Sequence, residues 1–175
     1  FDLLSTTFYY TFFGTIGSIV FGILTAQLVN QKFFGRTFMR SVLLFPYVGP
    51  VVALAYTWEL LLDPYSGTLN NLLMNFQVIQ EPLNLLGQKY LTINFFGFDL
   101  KLRLALTTVI IFEIWRYFPL AFLFILARLQ AVPKELYEAA EVDGAGPLQK
   151  FINITLPQIT AVISILFMIR FIWNF

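Results

Sequence analysis

Four long apolar runs divide this chain, and they constrain its fold more than any other feature. A helix needs about 20 apolar residues to cross a hydrocarbon core about 30 Å thick. The runs cover residues 6–30, 41–62, 104–129 and 157–175. Only 12% of the residues are charged and the mean hydropathy is +0.76, whereas soluble domains carry about 25% charged residues. We therefore predict an all-α fold, a polytopic bundle of transmembrane helices.

The residue types that are missing exclude several kinds of function. The chain has no Cys and no His, so disulfides, thiolate and imidazole catalysis, and the common zinc and copper ligand sets are not available. A net charge of +1 gives no sign of the basic face that nucleic-acid binding requires. We predict no catalytic residue, no metal site and no nucleic-acid partner.

Positive charge in the connections predicts the orientation, because Lys and Arg collect in short cytoplasmic loops. The connection after the first run has Lys32, Arg36 and Arg40, and the one after the third has Arg128, Lys134 and Lys150. We expect both to face the cytoplasm. The connection at residues 63–103 carries Lys89, Lys101 and Arg103 more thinly, so we place it outside. The chain begins at Phe1 and stops within an apolar run, and we interpret residues 1–175 as a single transmembrane domain truncated at both ends.

The outer connection gives weaker signals. Asp63–Gly67 is a turn-type cluster, and residues 69–76 suit a short interfacial helix. Residues 91–100 are aromatic and β-prone, which leaves a hairpin and an irregular cap equally open.

Small residues and prolines predict how the first two spans pack and bend. Gly14, Ser18 and Gly22 recur at every fourth position, an arrangement that lets two membrane helices approach closely. Pro46 and Pro50 interrupt the second run, and each removes a backbone donor. We expect a tight contact at the first helix and a bend in the second.

A polar loop at residues 130–156 separates the last two runs. Pro133 suits the start of a helix and Gly144 suits its end, so we predict a helix over residues 134–143. Pro147 can start a second short helix, which we expect Pro157 to end as it opens the fourth span.

The spacing within this loop is specific. Glu138-Ala139-Ala140 is followed after three residues by Gly144, and after nine more by Ile154, one residue and Leu156-Pro157. This pattern resembles the cytoplasmic loop of permease subunits of bacterial ABC importers. Residues 126–137, residues 36–50 and Ile114-Trp115 before Pro119 are similar to the carbohydrate-uptake branch, which includes maltose, multiple-sugar and glycerol-phosphate systems.

The resemblance implies a type I permease fold in the bacterial inner membrane and a loop that docks onto an ATPase. The ATPase-coupling residues would be Glu138, Ala139, Ala140, Asp143, Gly144, Leu156 and Pro157. It also implies the partners: a dimer of ATP-binding subunits that holds ATP and Mg²⁺, a second permease subunit, an extracytoplasmic solute-binding protein and the lipid bilayer. This chain itself would hold no cofactor and would not be an enzyme.

Polar side chains inside the last two spans mark a second candidate site, since ionisable groups are costly in a bilayer and normally face a bundle interior or a cavity. The candidate pathway residues are Glu113, Arg116, Tyr117, Leu120, Arg170 and Asn174. They form either a structural ion-pair cluster or the lining of the solute pathway, and both roles can hold together.

Two other classes of function compete with the permease hypothesis. An ion-coupled secondary transporter would also place charges at the midplane and use broken helices. An intramembrane enzyme would have to use the carboxylates Glu113, Glu59 or Asp63, without His, Cys or a metal set to assist them. The sequence does not identify the solute.

Overall fold

The computed structural model describes residues 2–88, 90–95 and 98–175, so Lys89 of the outer connection lies outside it. In chain order the elements are α1 (Asp2–Asn30), α2 (Arg36–Val48), α3 (Val51–Leu62), α4 (Thr68–Asn75), β1 (Leu91–Phe95), β2 (Phe98–Leu102), α5 (Leu104–Gln130), α6 (Lys134–Val142), α7 (Pro147–Lys150), a π-helical segment (Phe151–Thr155) and α8 (Leu156–Asn174). The described part of the fold is therefore helical, as predicted, apart from a two-stranded hairpin.

Three helical stretches in the described residues are long and apolar enough to cross a membrane: Leu3–Asn30, Leu104–Gln130 and Pro147–Asn174. The second predicted span is divided into α2 and α3 at Gly49 and Pro50, and it makes a fourth if the pair counts as one. Pro50 has no N–H with which to continue α2, so the predicted bend is a break. The span also begins earlier than residue 41, because the polar residues from Arg36 onward join the helix.

The start of the last span differs most from the sequence prediction. We expected Pro157 to end a short helix, but α7, the π segment and α8 form one continuous helix. The Leu156 N–H donates to the carbonyl of Phe151, which is the wider π spacing. We attribute this π turn to Pro157, whose ring would clash with the carbonyl four residues earlier in a regular α-helix. The prediction of a break at Pro157 was wrong.

The chain consists of two compact units, and the first comprises Phe1–Tyr47 and Ile114–Phe175. Its core is built from the apolar faces of α1, α5 and α8, with side chains of α2 packed against them. The buried residues are Ile19, Ala26, Val29, Phe118, Ala121, Phe122, Ile125, Leu126, Leu129, Ile159 and Leu166. Burying such side chains stabilises a fold in water, but between lipid-facing helices the close packing itself is the main contribution.

The small-residue stripe of α1 is buried, as the sequence predicts. Gly14, Ser18 and Gly22 are all inaccessible. A Cβ atom at Gly22 would lie 2.6 Å from the Cβ of Ala121 and 2.9 Å from the backbone nitrogen of Phe122, which leaves no room for a side chain. The predicted tight helix contact is confirmed at Gly22, where α5 is the partner.

The second unit, Val48–Glu113, contains α3, α4, the hairpin and the first turns of α5. Strands β1 and β2 are antiparallel, with Leu91 opposite Leu102 and Phe95 opposite Phe98. Residues 96 and 97 between the strands lie outside the described part. The structure thus favours the hairpin over the irregular cap, and α4 confirms the short helix predicted at residues 69–76.

Two polar side chains organise the chain before and after α4. The Asp63 carboxylate accepts hydrogen bonds from the Ser66 N–H at 2.7 Å, the Ser66 hydroxyl at 2.8 Å and the Tyr65 N–H at 3.0 Å. These bonds, with the Ser66 N–H the largest cause, hold the pKa of Asp63 below its usual range. The buried Asn70 amide donates to the Leu83 carbonyl at 2.9 Å and accepts from the Leu83 N–H at 3.1 Å. The predicted turn after α3 is confirmed.

Candidate functional site

Helix α6 ends in a tight glycine turn. Gly144 has a φ of +77°, a left-handed conformation that residues with a Cβ avoid. Its N–H donates to the Glu141 carbonyl at 3.0 Å, and the Ala145 N–H donates to the Ala140 carbonyl at 2.8 Å. These two bonds make a Schellman motif, which satisfies carbonyls that the helix end would otherwise leave open. The predicted helix over residues 134–143 and its glycine stop at Gly144 are confirmed.

Side-chain contacts hold α6 against the helix that follows it. Lys150 Nζ lies 2.6 Å from Glu141 Oε1, and the hydroxyls of Tyr137 and Thr155 share a hydrogen bond of 3.0 Å. Thr155 is buried in the π segment. The α7 helix continues through that segment into α8, so these contacts join α6 to the helix that forms the last span.

The loop residues predicted to contact an ATPase differ in their exposure. Glu138, Ala139, Asp143 and Gly144 are exposed, whereas Ala140 is half-buried. Leu156 and Pro157 are also exposed, but they belong to the start of α8 and not to α6 or its turn. The structure therefore brings together the predicted residues from Glu138 to Gly144 and separates the last two along the chain.

Sequence reasoning missed two residues of this surface. Val142 is 89% exposed and Leu148 is 70% exposed, on either side of the Gly144 turn. Single exposed apolar residues are ordinary on a protein surface, so it is their position on both sides of one turn that makes these two candidates for a protein contact. The sequence could have identified both residues, because each is a large apolar residue in a mainly polar loop.

Three of the predicted pathway residues form a cluster in the first unit, in which Arg170 is buried and Arg116 and Tyr117 are half-buried. The Arg170 guanidinium carbon lies 3.7 Å from the centre of the Tyr117 ring, and that of Arg116 lies 5.6 Å from it. Arg170 is only 2% exposed. A cation over an aromatic face is attracted by the ring quadrupole, by about 2 kcal/mol or more when water is excluded. This contact fixes α8 to α5 at the depth of the membrane spans.

Arg116 also stabilises the end of α2. Its Nη1 donates to the Pro46 carbonyl at 3.3 Å. In a regular helix that carbonyl would accept from residue 50, but Pro50 has no N–H to give. A free carbonyl is costly inside a membrane, so Arg116 supplies the donor that the second proline removes. The spacing of the two prolines identifies the carbonyl that lacks a helical donor, but not the residue that supplies one.

The remaining pathway candidates lie on the same two helices, α5 and α8. Leu120 is half-buried on α5, and Glu113 is a buried residue of the same helix. Asn174 lies one turn after Arg170, and its backbone carbonyl accepts a hydrogen bond of 3.0 Å from the Thr11 hydroxyl. The structure thus groups Arg116, Tyr117 and Arg170 by contact and places the other three along the same two helices.

Residues 18–175 match the family described as "Binding-protein-dependent transport system inner membrane component". Among curated proteins, the inner membrane ABC transporter permease protein YcjO of Escherichia coli is 37% identical over 97% of this chain and 54% of its own length. The trehalose/maltose transport system permease protein MalF of Thermococcus litoralis is 30% identical over 96% of this chain and 55% of its own length. The sn-glycerol-3-phosphate transport system permease protein UgpA of Escherichia coli is 30% identical over 99% of this chain and 54% of its own length. The chain spans about half the length of these relatives.

A solved structure shares the fold. The protein superposes on a chain from a bacterial ABC transporter involved in the import of the acidic polysaccharide alginate with a TM-score of 0.78, at 24% identity, covering 95% of this chain and 54% of that one. A second structure of the bacterial alginate ABC transporter, in complex with an alginate pentasaccharide-bound periplasmic protein, gives a TM-score of 0.76. At this identity the likeness concerns the fold alone.

Proposed function

The chain belongs to the family of binding-protein-dependent transport system inner membrane components, and from this premise we propose that it is a permease subunit of an ABC importer for a sugar, a related polyol or a sugar phosphate. Relatives named for trehalose and maltose and for sn-glycerol-3-phosphate support this solute class. The chain is a multi-pass protein of the bacterial inner membrane. The family gives no support to the ion-coupled transporter or to the intramembrane enzyme.

The observation that carries the proposal is the coupling elbow, which we define as residues 134–150. Its α6 ends at the Gly144 turn, and its α7 runs into the last span as one helix of 28 residues. At 1.5 Å per residue this helix is about 40 Å long. A push on the elbow can therefore be transmitted to the middle of the membrane without passing through a loose joint.

The elbow offers both apolar and acidic groups to a partner. Val142 and Leu148 would insert into a cleft of a separate ATPase subunit, and the small Ala139 would let the two surfaces approach closely. Glu138 and Asp143 would pair with basic residues at the rim of that cleft. Closure of the ATPase dimer around ATP and Mg²⁺ would then move the elbow and, through it, α8.

The cluster around Tyr117 would serve the solute. Arg116 and Arg170 can donate hydrogen bonds to sugar hydroxyls or pair with a phosphate, and the Tyr117 ring can stack on a sugar face. Glu113, Leu120 and Asn174 would extend the same lining. A second permease subunit would complete the pathway, and an external binding protein would deliver the solute to it.

Cysteine cross-linking in the assembled transporter tests the coupling elbow directly, because residues 1–175 contain no Cys that would compete with an introduced one. Ala139→Cys and Leu148→Cys should each form a disulfide with a cysteine placed in the cleft of the ATPase subunit. The matched control is Ser66→Cys, an exposed position on the predicted outer side, which should form none. Cross-linking from Ser66 but not from the elbow would reverse the orientation and refute the proposal.

A further inference from the structure

The turn between α1 and α2 carries charge and apolar surface that the transport mechanism does not use. We define the basic elbow as residues 31–40. Gly35 has a φ of +84°, and its carbonyl accepts from the Met39 N–H at 3.0 Å. Phe34 is fully exposed and Phe38 is 74% exposed. Aromatic side chains held at the surface beside the end of a membrane helix suit the region where lipid headgroups meet acyl chains.

The charge of the basic elbow is of one sign. Lys32, Arg36 and Arg40 supply three cations, and no acid occurs in the sequence between Asp2 and Glu59. Within the described part of the chain none of the three cations forms an ion pair. The buried Nε atom of Arg40 has no hydrogen-bond acceptor there either. These cations are therefore available to an anion from outside the chain.

Two adjoining surface cavities lie beside the same turn. Lys32, Phe33, Phe34 and Arg36 line an open depression of about 410 Å³. An apolar groove of about 370 Å³ lies beside it between the end of α1 and the start of α2, and Phe33 borders both. The groove is lined by Thr25, Leu28, Val29, Gln31, Phe33, Met39 and Leu43. A cationic cavity thus opens next to an apolar one.

We propose that the basic elbow binds one anionic phospholipid, with the phosphate on Lys32 and Arg36 and an acyl chain in the groove between Leu28 and Met39. Arg and Lys both bind phosphate, Arg through paired N–H donors, and basic pockets between membrane helices on the cytoplasmic side are suited to anionic headgroups. The bilayer that surrounds the chain provides such lipids at high local concentration.

A water-soluble anion fits these observations less well. It would use the cations but would leave the apolar groove empty, and the groove begins directly beside them at Phe33. A zwitterionic lipid would fill the groove but would bring its own positive charge to Lys32 and Arg36. An anionic lipid matches both cavities.

Native mass spectrometry of the assembled transporter tests the proposal. The transporter would be released from bilayers of equal parts phosphatidylglycerol and phosphatidylethanolamine, and the lipids that stay bound would be counted. The natural chain should retain phosphatidylglycerol in preference. The double variant Lys32→Gln/Arg36→Gln should weaken that retention about 25-fold, at about fivefold for each cation removed. Leu28→Trp fills the groove from an exposed position and should weaken it severalfold with the charge intact.

The control for the single variant Lys32→Gln, which should weaken retention about fivefold, is Lys134→Gln, which removes one exposed cation from the other loop and should leave retention unchanged. Retention of the two lipids in equal amounts, or the same retention in the double variant as in the natural chain, would overturn the proposal. An equal loss in the control would do so as well, since it would mean a general charge effect. If soluble glycerol phosphate displaces the lipid, the site is an anion site and the acyl-chain assignment is wrong.

Discussion

The basic elbow and the coupling elbow are built on the same backbone device and carry opposite charges. Each turns at a glycine with a left-handed φ, +84° at Gly35 and +77° at Gly144, and at neither would a Cβ meet a neighbouring atom within 4 Å. Each also exposes apolar side chains next to the turn. The shared geometry links two helices and by itself says nothing about a partner.

The two elbows differ in their charge and in the side-chain contacts that hold them in place. The basic elbow has three cations and no acid, whereas residues 134–143 contain four acids and one Lys. The coupling elbow is braced by the Lys150–Glu141 ion pair and the Tyr137–Thr155 hydrogen bond. A braced acidic surface suits a basic protein cleft, and a basic surface beside an apolar groove suits a lipid. The comparison teaches that side chains around a common turn decide what it binds.

The largest effect should come from Gly144→Val. A β-branched residue is strained at positive φ, and the left-handed conformation alone costs about 1–2 kcal/mol for a residue with a Cβ. We expect the turn to rearrange, and solute transported per ATP hydrolysed to fall about tenfold or more, since about 1.4 kcal/mol corresponds to a factor of ten. Uptake and ATP hydrolysis measured in the same proteoliposomes give this ratio.

Two glycine variants sharpen the comparison. Gly146→Ala should be harmless, because Gly146 has a φ of −71° and the nearest atom to an added Cβ is 3.9 Å away. Gly35→Val strains the other elbow to the same extent and should lower thermal stability without changing the transport-to-hydrolysis ratio. If Gly35→Val uncouples the transporter as strongly as Gly144→Val, the two elbows are not functionally distinct.

A smaller effect is expected at Arg170, which lies on the helix that leads from the coupling elbow. Its contact with Tyr117 contributes about 2 kcal/mol, but a charge within a membrane span costs about 2.5–3.5 kcal/mol. Arg170 also makes contacts beyond the Tyr117 ring, so Arg170→Met removes more than the cation–π term and should lower the melting temperature. If the cluster contacts solute, the same variant should raise the KM for uptake severalfold.

The conservative change Arg170→Lys is the control for charge. It keeps the cation but loses the planar guanidinium, so it should restore part of the lost affinity. Unchanged uptake kinetics in both variants would leave Arg170 with a structural role only, and would end the assignment of the cluster to the pathway.

The smallest effect concerns the brace of the coupling elbow. The Glu141 side chain of the Lys150–Glu141 pair is 67% exposed, and pairs that face solvent contribute about 0.2–1 kcal/mol. A double-mutant cycle with Glu141→Gln and Lys150→Gln, measured by chemical unfolding, should give a coupling energy in this range that decreases with added salt. A coupling energy of zero at low salt would show that the pair does not brace the elbow.

Several predictions succeeded because they depend on contacts within a few residues. The α6 helix, its end at Gly144 and the turn at Asp63 are set by hydrogen bonds that span no more than five positions along the chain. The membrane spans follow from apolar length in the same way. The family was also recognisable, because the loop motif keeps its spacing within one short segment.

Pro157 shows why some local predictions failed. Its ring forbids a regular α-helical turn, but the chain accommodates it with a π turn and continues. Which of two permitted responses occurs depends on the packing of the helix on both sides, with Thr155 and Ile159 buried. A residue preference alone could not choose between a break and a widened turn.

The sequence by itself determined the membrane class, the number of apolar runs, the acid-rich elbow and the glycine at its turn, because length, charge and local hydrogen bonding are properties of adjacent residues. Only the tertiary structure decided that Arg170 lies over Tyr117 and that Arg116 replaces the donor missing at Pro50. These contacts join residues far apart in the chain. They form only when several helices pack side by side, and no local pattern specifies that packing.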